Sequence, residues 1–139
     1  AGYCLVSIPA NSQYSIYYIQ AILGSIQGEW LASLYGEIFR GGFIARGTKV
    51  LKQIPVSTID FNNLADVAAH KEIVERQKSL ISLGDRIAAN GNNARKATPL
   101  KRQFELLKEE QQQAINNLYG MTEEEVSLIP KIKELYATD

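Results

Sequence analysis

The sequence predicts an α+β, mostly helical protein. A small mixed body with short strands occupies residues 1–61, followed over residues 62–139 by a long antiparallel helical hairpin and a short C-terminal helix. Three observations carry this reading. Two β-branched, apolar stretches lie in the N-terminal body, at 2–9 and 50–59. Two long segments with apolar residues at helical spacing follow. A polar, glycine-containing stretch separates them, which is how two antiparallel helices are joined.

Residues 2–9, Gly-Tyr-Cys-Leu-Val-Ser-Ile-Pro, read as a strand that stops at Pro9. One strand is not stable alone, so it must pair with a later segment or with chain outside this sequence. Residues 14–23 read as a helix with Tyr14, Tyr18, Ala21 and Ile22 on one face, broken at Gly24. A second helix covers Gly28 to Phe39, with Trp30, Leu31, Leu34, Tyr35 and Ile38 at helical spacing. Five of the seven tyrosines and the only tryptophan fall within the first 36 residues, which predicts an aromatic core there. Residues 40–49 hold three glycines and no periodicity and read as a loop. In the β-like stretch 50–59, Pro55 permits only an edge strand or an extended segment.

Asn62 and Asn63 are candidate N-caps for a helix from Leu64 to about Ala89. Val67, Val74, Ile81 and Ala88 recur every seven residues, beside a parallel row of Ile73, Leu80 and Ile87. Together they make one apolar stripe along a helix of about 40 Å. Residues 90–98 read as a turn, and Pro99 suits the first position of the next helix. That helix carries Leu100, Phe104, Leu107, Gln111, Ala114 and Leu118 at alternating spacings of three and four and ends at Gly120. Thr122 and Glu125 form a capping box for a last helix bearing Val126, Ile129, Ile132 and Leu135, which Pro130 breaks or kinks.

The 139 residues are 45% apolar, enough for one domain with a core, and carry no net charge. A single cysteine, Cys4, excludes an internal disulfide and reads as a small buried hydrophobe. No run approaches the roughly 20 apolar residues that span a bilayer, and no signal peptide is visible, so a cytoplasmic protein without a membrane partner is expected. The chain opens on Ala1 and enters an apolar stretch at once, which reads as a piece of a longer polypeptide.

Catalytic patterns are missing. His70, the only histidine, lies mid-helix with no second histidine to share a metal, and reads as structural or solvent-facing. No Asp-x-Lys or Glu-x-Lys pair occurs, the arrangement that holds Mg²⁺ beside a scissile phosphate in many nucleases. No Asn/Asp-Pro-Pro-aromatic turn, of the kind that grips a flipped base, is present, nor a G-x-G or G-K-[ST] loop. Charge, however, is unevenly placed. Residues 1–39 contain no Lys or Arg, whereas 40–52 carry Arg40, Arg46, Lys49 and Lys52 without an acid. A second acid-free cluster is Arg95, Lys96, Lys101 and Arg102. Such clusters attract phosphates, and arginine reads guanine edges through two parallel bonds; equally, they suit a solvated loop and an exposed helix start.

Residues 18–59 resemble the C-terminal half of a target-recognition domain, as found in type I restriction specificity subunits and in fused type II restriction–methylation enzymes. The marks are Ala21-Ile22-Leu23-Gly24-Ser25, then Phe39-Arg40-Gly41-Gly42-Phe43, then the run from Gly47 through Thr48, Lys49 and Leu51 to Ile54-Pro55-Val56. Gly24 stands where that family usually has asparagine. The run Leu118-Tyr119-Gly120-Met121-Thr122-Glu123-Glu124 resembles the closing motif of the adenine-specific fused enzymes. The resemblance covers about residues 14–129 and places most of the recognition sheet before Ala1.

The resemblance implies a non-catalytic piece that recognises double-stranded DNA, joined in one polypeptide to methyltransferase and nuclease parts. S-adenosylmethionine and Mg²⁺ would serve those parts, with no cofactor, catalytic residue or metal ligand in this chain. Carried over by position, the DNA-contacting residues are Arg40, Arg46, Thr48, Lys49 and Lys52, with Arg95 and Lys96 added from the second cluster. The hairpin has two readings: a spacer for the recognition unit, or a coiled coil that makes a homodimer through Val74, Ile81, Phe104 and Leu107. In the second, the chain is an interaction module with no DNA role.

Overall fold

The computed structural model describes residues 6–36 and 48–129. These form α1 (Ile16–Leu23), α2 (Ile26–Tyr35), α3 (Thr48–Leu51), α4 (Leu64–Ala89) and α5 (Ala94–Leu118), and residues 123–129 are also helical.

Two seryl caps set the corner between α1 and α2. The Ser15 hydroxyl accepts from the Tyr17 amide at 3.2 Å and starts α1. The Ser25 hydroxyl accepts from the Gly28 amide at 3.1 Å and donates to the Ile22 carbonyl at 2.6 Å, so α2 begins at Ile26, two residues before the expected Gly28. It ends at Tyr35, where Phe39 was expected; residues 37–39 lie outside the described residues. At this corner Gly28 is required. A Cβ there would stand 2.7 Å from the Leu23 carbonyl oxygen and closer still to that of Ile22. Trp30 lies on α2 with its indole Nε1 enclosed and without a hydrogen-bond partner.

The hairpin follows its sequence pattern with one change. The Asn63 side chain accepts from the Ala65 and Asp66 amides at 2.9 and 3.2 Å and caps α4. Asn93 accepts from the Lys96 amide at 3.3 Å, so α5 starts at Ala94 and Pro99 lies inside it, not at its first position. The asparagine cap outranks the proline as a start signal. Pro99 leaves one carbonyl, four residues back, without its helical N–H. At the far end the Met121 amide donates to Asn116 O at 3.0 Å and the Gly120 amide to Asn117 O at 3.1 Å, with Gly120 at φ 63°. This left-handed close is one that glycine adopts without strain. The Thr122–Glu125 capping box is formed, each backbone amide meeting the other side chain at 3.2 Å.

The core lies where α1 crosses the base of the hairpin. Tyr18, Ala21 and Ile22 of α1 meet Ile73 and Val74 of α4, Ile115 of α5 and Ile59 of the connecting segment. A smaller cluster of Ala32, Val50 and Ile54 seats α3 against α2.

The expected α+β class is not found: no described residue belongs to a strand. Residues 6–9 form no strand, and the earlier part of that predicted element lies outside the described residues. In the second stretch Val50 and Leu51 belong to α3, and residues 55–60 run without regular structure. Side chains there replace a neighbouring strand. Tyr119 Oη donates to Pro55 O at 2.6 Å and accepts from Ser57 N at 3.4 Å. Tyr18 Oη donates to Ser57 O at 2.6 Å, and Tyr14 Oη accepts from Ile59 N at 2.9 Å. Backbone groups that a sheet would have paired are satisfied by three tyrosines, so the β-branched composition creates no ladder.

Candidate nucleic-acid interface

The predicted contact residues fall into two places. Val50 and Ile54 point into the smaller core cluster and leave Lys49 and Lys52 exposed, without an ion pair, on and just after α3. Thr48 opens α3. Arg40 and Arg46 lie outside the described residues. Arg95 and Lys96 stand exposed in the first turn of α5, at the tip of the hairpin. The structure gathers each pair separately and does not bring the two together: α3 packs on α2, and the tip is built from α4 and α5.

The tip holds more charge than those two residues. Residues 81–104 contain five basic side chains, Arg86, Arg95, Lys96, Lys101 and Arg102, against one acid, Asp85. All five are exposed and, among the described residues, none is in an ion pair. Ala97 and Leu83 are buried, and the cations face solvent. The first turn of α5 has no acidic residue. Cations at a helix N-terminus oppose the helix dipole, by about 0.3–1 kcal/mol each at low salt, so this distribution does not serve the free chain's stability.

His70 is buried and structural. Its Nε2 accepts from the Ser15 amide at 3.2 Å, and its ring packs against Tyr18, Phe61 and Tyr14, with centroids 4.9, 5.3 and 6.0 Å away. Burial holds its pKa below the usual imidazole value. Burial also pushes the Tyr18 hydroxyl far above the usual phenol range, helped by neighbouring Tyr119 and Tyr14, and raises Tyr119. These hydroxyls therefore stay protonated and donate across the ordinary pH range.

Sequence reasoning missed a set of buried amides that ties the body to the hairpin. Gln27 Nε2 donates to Asn116 Oδ1 at 2.6 Å. Gln112 Nε2 donates to Gln27 Oε1 and to Asn116 Oδ1, both at 2.8 Å, while its own oxygen accepts from Ile26 N at 2.9 Å. Gln111, at a stripe position, donates to Ile73 O at 2.8 Å and accepts from Arg76 at 3.0 Å. The signal was the polar interruption of the α5 stripe at 111–113 and 116–117. Beside these amides lies a cleft of about 310 Å³, bounded by Gln20 and Ala21, by Leu80 and Ile81, and by Phe104 and Lys108. Val74, one of four residues expected in a homodimer seam, is committed to the internal core, while Ile81, Phe104 and Leu107 are half-buried.

Among the described residues no group of three or more His, Cys, Asp or Glu side chains is placed to hold a metal, and no helix is long and apolar enough to cross a membrane. No protein-family model matches the sequence, and no solved structure gives a significant match. The chain is 43% identical over 136 residues to the type II restriction enzyme and methyltransferase RM.Eco57I of Escherichia coli, which covers 98% of this chain but 13% of that protein. Over nearly its whole length, therefore, the chain is related to one segment of a fused restriction–modification polypeptide.

Proposed function

We propose that this chain is a DNA sequence-recognition segment of a bacterial restriction–modification enzyme, non-catalytic by itself, with methylation and cleavage carried by other parts of the same polypeptide. The observation that carries this reading is the relationship to a segment of a protein named for both activities. Lys49 and Lys52 support it: on and just after α3 they face solvent, while Val50 and Ile54 beside them are buried. S-adenosylmethionine and Mg²⁺ belong to the other parts. This chain has neither a G-x-G loop nor a carboxylate-x-lysine pair to receive them.

Binding of the full chain to labelled duplex DNA, read by fluorescence anisotropy across a salt series, tests the reading. Affinity is expected to fall steeply with salt as phosphate counterions are released. Lys49→Ala with Lys52→Ala is expected to weaken binding and flatten the salt slope by about 1–2. Salt-independent binding, or a double variant that binds like the parent, would sink it.

A further inference from the structure

We propose that the hairpin tip is a second DNA contact and that the hairpin length sets it about one helical turn of duplex away from the α3 contact. This rests on the recognition reading above and adds a site and a spacing to it.

Two observations carry it. The first is charge. The tip concentrates five exposed, unpaired basic side chains against one acid, whereas the remainder of the hairpin, over 62–80 and 105–119, has six acids and four bases. Arg95 and Arg102 are seven residues apart and share the outward face of α5, with Lys96 and Lys101 to either side. The N–H groups of the first turn of α5 add a partial positive charge at the same end. A polyanion is the partner this surface complements.

The second observation is length. Tyr119 Oη donates to Pro55 O at 2.6 Å at the hairpin base, and Lys52 lies three residues earlier, within about 10 Å of chain from that clamp. From Tyr119 to Arg95 is 24 residues of the α5 run. At 1.5 Å per residue this is about 36 Å along the hairpin, from the clamp at its base to the tip. One turn of B-DNA is about 34–36 Å. Two cationic sites at that separation meet phosphates on the same face of a straight duplex. Between them Glu105 and Glu109 are exposed, as is Glu110, which pairs with Arg76 at 3.9 Å. Glu105 and Glu109 repel the backbone along the middle of α5, so the duplex is held at two points and does not lie along the helix. The tip reads no bases; its lysines and arginines fix register and orientation.

Hydroxyl-radical footprinting of the full chain on a long duplex tests this, alongside anisotropy. Wild type is expected to protect two backbone tracts about one turn apart. The variant Arg95→Ala, Lys96→Ala, Lys101→Ala, Arg102→Ala changes only exposed side chains, and its helix content is to be checked by circular dichroism. It should lose the distal tract alone, weaken binding at least about tenfold, and lower the salt slope, with sequence preference kept. A single protected tract in wild type, lost on Lys49→Ala with Lys52→Ala, would leave the recognition reading standing and overturn the tip contact. Two tracts that both persist in the quadruple variant would also overturn it. No protection at all would overturn both.

Discussion

His70 lies fifty-five positions in sequence from the amide it serves. Its Nε2 is an acceptor for Ser15 N, which requires a lone pair there and leaves the proton on Nδ1. Protonation at Nε2 therefore breaks the bond that fixes the N-cap residue of α1. Because burial lowers the folded-state pKa, the imidazole is neutral in both folded and unfolded chains above about 6.5. As pH falls below that value the unfolded chain takes up its proton first, and stability declines until the folded chain protonates too. The melting temperature is expected to drop between pH 7 and pH 5, and His70→Gln should flatten that slope. An equal slope in the variant would assign the drop to other groups. The sequence marked His70 as without metal partners and placed it mid-helix; its aromatic surroundings come from Tyr14, Tyr18 and Phe61, which chain folding alone brings there.

At the scale of elements, glycine has opposite meanings in two helices. Gly28 admits the carbonyls of Ile22 and Leu23, while Gly84, inside α4 five residues before its end, has nothing within 4 Å of where a Cβ would stand. Gly28→Ala is expected to cost about 1–3 kcal/mol, because backbone must move to make room. Gly84→Ala should stabilise by about 0.5–1 kcal/mol through helix propensity alone. Urea unfolding midpoints of the two variants should move in opposite directions. The long helices were the most legible part of the chain: heptad spacing gave both, Asn63 gave the start of α4, and Gly120 gave the end of α5. Pro99 misled, since a proline one turn into a helix and one at its start look alike without the cap in view. Nothing local in α2 announces that Gln27 will meet Gln112 and Asn116, some eighty-five residues on.

For the whole molecule, the difference from expectation lies in how one segment finds its hydrogen bonds. The stretch around Pro55–Ile59 has the composition of a strand, and composition cannot say whether its partners will be another backbone or three phenols. The tyrosines answered that, and the sheet was not built from these residues. Tyr18→Phe is expected to lower stability by about 1–3 kcal/mol, since the half-buried Ser57 carbonyl loses the donor of a fully buried tyrosine; Tyr119→Phe, nearer solvent, should cost about 0.5–1.5 kcal/mol. Thermal melts that rank them the other way would place the main anchor at Pro55. The cationic residues of the candidate interface were legible one by one, because charge is written in the sequence. Their separation into two clusters was legible as well, but not how far apart the fold sets them, because that depends on where α3 docks and how far the hairpin reaches.

Trp30 gives the molecule a reporter of its own. It is the only tryptophan, and it sits in α2 with an enclosed indole nitrogen, whereas most of the helical residues belong to α4 and α5. Intrinsic fluorescence therefore follows the α1–α2 corner, and far-ultraviolet circular dichroism follows chiefly the hairpin. Coincident transitions by the two signals would mean that the amide network and the tyrosine clamp join both parts into a single cooperative unit; separate ones would mean that the corner loosens while the hairpin stands.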